Sequence, residues 1–183
     1  LEVDLNYKPI EAEFCRFLND LKMLKVLTIK GPYYKNTHRA VVSSKINQIE
    51  TLNLHGLSSG RNVFLACAPN IKKLSVKGHR NSLFKKLSYK NFKVILESLT
   101  KLEEFKLQGD IQINDEVLEL ISDTNLRHII IESHSPILRR TEMIAVNPNL
   151  IITQRLKSYE DGKEDFAIEN GFLYLPWQKL KLD

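Results

Sequence analysis

Cysteine is almost absent from this chain, and the two that occur, Cys15 and Cys67, lie in segments with helical spacing. Two thiols build neither a disulfide framework nor a four-ligand zinc site. They read instead as small buried apolar residues. The fourteen asparagines contain no Asn-x-Ser/Thr sequon. Both scarcities point to a reducing intracellular compartment, nuclear or cytoplasmic. Long hydrophobic runs are also missing. Nothing approaches the roughly 18 uninterrupted apolar residues of a membrane span, and no charged start leads into an apolar leader, so no membrane partner is expected. The sequence begins at Leu1 rather than Met, from which we expect a piece of a longer protein with a truncated first strand.

Signatures of catalysis are lacking too. The five histidines, His38, His55, His79, His128 and His134, contain no His-x-x-x-His metal spacing. There is no Gly-x-Ser-x-Gly elbow, no phosphate loop and no Gly-x-Gly-x-x-Gly. Ser58-Ser59-Gly60-Arg61-Asn62 has the composition of an anion-holding helix start, and more simply that of a turn and cap. The expectation is a non-enzymatic domain with no catalytic residue, no metal and no cofactor.

What is present is a repeat. At 183 residues, 43% hydrophobic and 27% charged, the chain has the material for one globular domain or one short array. Five segments align without gaps as apolar-x-x-apolar-x-apolar-x-small: Leu24 to Gly31, Ile49 to Gly56, Ile71 to Gly78, Leu102 to Gly109 and Leu126 to Ser133. Fainter copies surround Val3 and Leu5, and Leu150 to Arg155. Taking the middle apolar residue as marker, Val3, Leu27, Leu52, Leu74, Phe105, Ile129 and Thr153 follow one another at 22 to 31 residues. The apolar-x-apolar core has the period of a short strand with one buried face. Between these strands the spacing turns helical: Ile10, Phe14, Phe17, Leu18 and Leu21 behind Pro9, then Phe92, Ile95, Leu96 and Leu99, then Val117, Leu118 and Ile121 with Asn114 as N-cap. The returns are alike, at Ala68-Pro69-Asn70-Ile71, Thr124-Asn125-Leu126 and Asn147-Pro148-Asn149-Leu150. No such unit buries both faces alone, so neighbours must stack.

This pattern resembles the leucine-rich repeat, in the irregular form of its ribonuclease-inhibitor-like and F-box-associated branches. The resemblance covers Leu1 to about Arg155. One departure is the small residue, at Gly31, Gly56, Gly78, Gly109 and Ser133, where the family usually closes its strand with asparagine or cysteine. The resemblance implies an α/β solenoid, with short parallel strands on a concave face and helices on the convex one. It also implies a scaffold or substrate-recognition module that binds a protein partner, or an RNA-associated array of the mRNA-export type.

On that reading the residues between the buried apolar ones face the concave side. They are Glu2, Asp4 and Asn6; Val26, Thr28 and Lys30; Thr51, Asn53 and His55; Lys73, Ser75 and Lys77; Glu104, Lys106 and Gln108; and His128, Ile130 and Glu132. The candidate partner-binding set is Lys30, Asn53, His55, Lys73, Lys77, Lys106 and Gln108. This face is acidic at both ends, basic in the middle and free of aromatics, which argues against a base-stacking platform and an apolar hot spot. It suits a protein partner, including an acidic one.

The net charge of +5 is not evenly spread. From Ile71 to Lys106 there are ten basic and three acidic side chains, and the rest of the chain is slightly acidic. A basic patch of Lys72, Arg80, Lys85, Lys86, Lys90 and Lys93 follows, placed around the longest inter-strand interval. It offers phosphates a diffuse field, or it is simply a solvated lysine-rich surface. Leu83 and Phe84 in this interval are expected to tuck onto the core. Beyond Arg155 the repeat stops. Residues 156–183 carry Asn170-Gly171 between apolar residues, a hairpin signal. With Phe166, Ile168, Phe172, Tyr174 and Trp177 they are expected to cap the array formed by residues 1–155.

Overall fold

A computed structural model of the chain describes residues 1–4, 12–30, 45–55, 68–77, 87–133, 137–157, 164–169, 172–175 and 178–181. The fold is α/β. A sheet runs in strict sequence order through β1 (Glu2–Asp4), β2 (Val26–Lys30), β3 (Thr51–His55), β4 (Lys73–Lys77), β5 (Glu104–Gln108), β6 (His128–Ser133) and β7 (Ile151–Lys157), all parallel. It then turns antiparallel through β8 (Glu164–Glu169), β9 (Phe172–Leu175) and β10 (Gln178–Lys181). β8 and β9 pair on either side of residues 170 and 171. The described helices are α1 (Ala12–Asp20), α2 (Tyr89–Ser98), α3 (Asp115–Asp123) and α4 (Arg140–Val146).

The strand register joins the repeat markers to one another. Leu27, Leu52, Leu74, Phe105 and Ile129 pair in one row, and Ile29, Leu54, Val76, Leu107 and Ile131 in the next. Both rows are buried. Each such side chain contributes about 1.5–3 kcal/mol by leaving water. The helices give Leu18, Phe92, Ile95, Leu96, Val117, Ile121 and Met143 to the same core, so they cover one face of the parallel sheet. Phe92 of α2 stacks on Phe105 of β5, with ring centroids 5.2 Å apart. α2 packs on α3 and α3 on α4, in chain order. Ser88 and Asn114 cap α2 and α3, accepting hydrogen bonds from the N–H groups of Asn91 and Val117.

The returns are stitched together by amides. Asn70 Nδ2 donates to the Asn47 carbonyl (2.8 Å), Asn125 to the Thr100 carbonyl (3.1 Å), and Asn147 to the Leu126 carbonyl (3.0 Å). Gln48 reaches the Leu18 carbonyl at 2.6 Å. Each bond crosses from one unit to its predecessor and satisfies a carbonyl at the end of a helix or turn. A parallel backbone ladder runs beside it, with the N–H groups of Glu50, Lys72, Glu103, Arg127 and Ile151 donating to the carbonyls of Lys25, Glu50, Lys72, Glu103 and Arg127.

Three expectations from the sequence shift. Val3 pairs with Ile29 rather than Leu27, so β1 enters two residues later in the pattern. At the other end Ile152, not Thr153, pairs with Ile129. The run Leu150-Ile151-Ile152 contains a period-2 apolar pair of its own, and using Leu150 and Ile152 keeps the Thr153 hydroxyl off the core. Gln154 then falls where the second aliphatic belongs. It is buried, donates to Ser133 Oγ at 2.8 Å and accepts from the Ile137 N–H. Finally, Phe17 is 50% exposed. Leu18 is the buried residue of α1, with Phe14 half-buried on the same side, and Phe17 lies about 100° round the helix from Leu18.

The small residues after the strands are not equivalent. Gly109 leaves β5 with φ 145°, buried, with its N–H on the Glu132 carbonyl at 2.9 Å. That region of backbone space favours glycine. Ser133 stays within β6 and pairs with Leu156. Pro9, Ile10, Gly31, Gly56, Ser58 to Asn62, Cys67, Gly78, Leu83 and Phe84 lie outside the described residues.

The register predicts the outcome of placing charge in it. Leu52→Asp or Leu74→Asp is expected to cost at least about 4 kcal/mol, because it leaves an unpaired carboxylate between two neighbouring strands. Thermal or urea unfolding followed by circular dichroism measures this, and a variant as stable as the parent contradicts the register.

Candidate partner-binding face

Side chains alternate along each parallel strand, so the other face of the sheet carries what the core does not use. Register sorts it into three rows. The first is Val26, Thr51, Lys73, Glu104, His128 and Ile151; the second is Glu2, Thr28, Asn53, Ser75, Lys106, Ile130 and Thr153; the third is Asp4, Lys30, His55, Lys77, Gln108, Glu132 and Arg155. All are exposed or half-buried except Glu132, which is buried. Among the described residues no helix covers this side, since every helix sends its buried residues into the core.

The expected binding set, Lys30, Asn53, His55, Lys73, Lys77, Lys106 and Gln108, therefore shares one face. Asn6 lies outside the described residues. What the sequence does not show is how far this face pairs with itself. Lys30 Nζ lies 2.6 Å from Glu2, Lys73 lies 3.3 Å from Glu104, and Lys106 lies 2.8 Å from Glu132. Asn53 Nδ2 donates to Thr28 Oγ1 at 3.1 Å, and His128 Nε2 meets Thr153 Oγ1 at 3.0 Å. These contacts join strands distant in sequence, so only the register reveals them. The exposed ion pairs add little stability each. Their effect is to neutralise most of the charge on the face.

His55 is the perturbed group. Its partial burial holds the imidazole below its ordinary pKa, and Lys77 and Lys30 push in the same direction against the upward pull of Glu2. Burial and like charge both penalise the protonated ring.

The basic patch is arranged differently from the face. Arg80, Lys85 and Lys86 lie outside the described residues. Lys72 binds Glu50 at 3.3 Å, and Lys93 binds Glu116 of α3 at 2.9 Å. Lys90 lies 6.0 Å from the centre of the Tyr89 ring. Glu50 is shared between Lys25 and Lys72, which together hold its carboxyl below the usual range. Two of the three described patch lysines thus already have carboxylate partners.

Among the described residues no group of three His, Cys, Asp or Glu side chains is arranged to hold a metal ion, and no helix is long and apolar enough to cross a membrane.

The electrostatics of His55 give a pH prediction. The unfolded chain takes up the proton at the ordinary histidine value and the folded chain only at lower pH. Stability therefore falls as pH drops below the unfolded value, and levels off beneath the folded one. Lys77→Met is expected to raise the His55 titration midpoint and shrink that loss. Imidazole NMR resonances followed against pH, with urea midpoints beside them, check both signs. An unmoved midpoint contradicts the assignment of Lys77 as a cause.

No family model matches the chain, and comparison with curated proteins and with solved structures finds no match either.

Proposed function

We propose that this chain is a leucine-rich-repeat solenoid acting as a non-enzymatic protein-interaction module, a scaffold or substrate-recognition array whose open strand face receives a protein partner. Residues 1–155 are the array in this reading, and the antiparallel strands within residues 156–183 cap its end. Support for the repeat comes from strict sequence order, parallel pairing and the equivalence of markers across β2 to β6. The observation that carries the function is the face itself: six strands from β2 to β7 present polar, partly hydrated side chains in register, with no described element packed over them. A hydrated face of this kind, held rigid by the sheet, suits a protein surface that brings complementary polar groups.

The competing nucleic-acid reading has less behind it. Lys72 and Lys93 already have carboxylate partners, and the open face offers no aromatic for a base to stack on.

The immobilised chain, probed for bound proteins, tests the reading through its variants. Ser75→Arg, which plants a bulky charge in the middle row, is expected to abolish capture of the partner without lowering the melting temperature. Lys93→Ala on α2 is expected to leave it intact. The reverse pattern moves the binding site to the helices. Salt-steep binding of RNA or DNA, lost on charge reversal at Lys90 and Lys93, replaces the proposal with the nucleic-acid one.

A further inference from the structure

The open face satisfies its own long polar side chains almost everywhere, and the exceptions are adjacent. Lys30, Lys73 and Lys106 each have a carboxylate partner, and Asn53 and His128 each have a hydroxyl. Among the described residues His55, Lys77 and Gln108 make no side-chain hydrogen bond or ion pair. They are consecutive members of the third row: His55 pairs in register with Lys77, and Lys77 with Gln108. With parallel strands about 4.8 Å apart, the three donors fall within roughly 10 Å along one line across the sheet. Lys77 is thus the one lysine of this face whose charge has no carboxylate opposite it among the described residues.

Each of the three is a hydrogen-bond donor. The ammonium donates only, the Gln108 amide supplies two N–H groups, and the imidazole supplies one when neutral and two when protonated. A compact anion rich in lone pairs is the complementary ligand. The surroundings decide which anion. In its own row the site is flanked by Lys30 and then Asp4 on one side and by Glu132 on the other. A phosphodiester chain, with charge at every step, would need a further free cation on either side of Lys77, and the other described lysines of the face are already paired. A single carboxylate set among uncharged neighbours needs no second cation.

We propose that His55, Lys77 and Gln108 form a carboxylate-binding row, and that the open face takes a segment of a partner protein in which one Asp or Glu side chain, set among uncharged neighbours, is seated over Lys77. This rests on the reading of the open face as the protein-binding surface. The carboxylate accepts from the Lys77 ammonium and the Gln108 amide, bonds that are stronger for being charge-assisted. It also faces the His55 imidazole and favours its protonated form, reversing the pressure that Lys77 and Lys30 exert on that ring in the free protein. The groups facing His55 are Lys30 and Glu2 on one side and Lys77 on the other, so binding at Lys77 is legible in the titration of His55.

The full chain is titrated with a capped hexapeptide of one glutamate among five glutamines, with hexaglutamine as the neutral control and single-stranded oligothymidine as the phosphate probe, while the His55 imidazole resonances are followed. The single-glutamate peptide is expected to bind in low salt and to raise the His55 titration midpoint, and hexaglutamine to do neither. Lys77→Met is expected to weaken binding about tenfold, the scale of one charge-assisted contact. Lys77→Arg is expected to retain most of it, and Lys93→Met on α2 to leave it unchanged. Equal affinity in Lys77→Met, absence of binding of the single-glutamate peptide at low salt, or tighter binding of oligothymidine each overturns the row. Those failures leave the face itself standing if Ser75→Arg still abolishes partner capture. If Ser75→Arg leaves capture intact, the reading on which the row rests is the one that fails.

Discussion

Two rows of buried aliphatic and aromatic side chains, one through Leu27, Leu52, Leu74, Phe105 and Ile129 and the other through Ile29, Leu54, Val76, Leu107 and Ile131, govern everything else in this molecule. Because side chains alternate along a strand, a slip of one residue would exchange the whole core for the polar face. Burial of both rows therefore sets the register. The register in turn sets which polar residues stand side by side on the open face. The helices supply the opposite wall of the core, with the Phe92 and Phe105 stack tying α2 to β5. Each buried row spans five strands, so every strand completes the core of its neighbours.

Polar interactions reinforce the same order. The amides of Gln48, Asn70, Asn125 and Asn147 bond back to the preceding return, and the backbone ladder before each strand does likewise. These bonds form only when neighbouring returns lie in register, so they favour aligned packing. At the far edge the sheet changes direction, and β8 pairs antiparallel with β7. That pairing engages backbone groups that a terminal parallel strand would leave open.

The central repeats were legible in the sequence because their signal is local: an aliphatic pair two residues apart, recurring with helical spacing between. The Asn114 cap was legible for the same reason. At the ends the local signal is weaker. Val3 offered no neighbouring strand pattern to fix its position, and three consecutive apolar residues at Leu150 to Ile152 allowed two registers, which burial of Ile152 resolves. A spacing rule draws Phe17 into the core, although α1 has a narrower buried stripe. The membership of the open face followed from alternation. Its internal pairing did not, since Lys73 meeting Glu104 or Lys106 meeting Glu132 depends on which strand lies alongside and in what register. In the sequence the basic patch reads as one feature because its lysines are close together. Lys72 and Lys93 in fact bond to partners in different units, Glu50 and Glu116.

The account stands on register, and register can be read directly in solution. A methyl NOESY spectrum of Ile-, Leu-, Val- and Thr-labelled protein should link Leu27 to Leu52, Leu52 to Leu74, and Ile129 to Ile152, since in-register side chains on neighbouring parallel strands lie about 5 Å apart. It should place the Thr153 methyl with Ile130 on the open face, away from Ile129. Contacts of Thr153 with Ile129, or of Leu27 with Leu74 in place of Leu52, would contradict the register and with it the composition of the face.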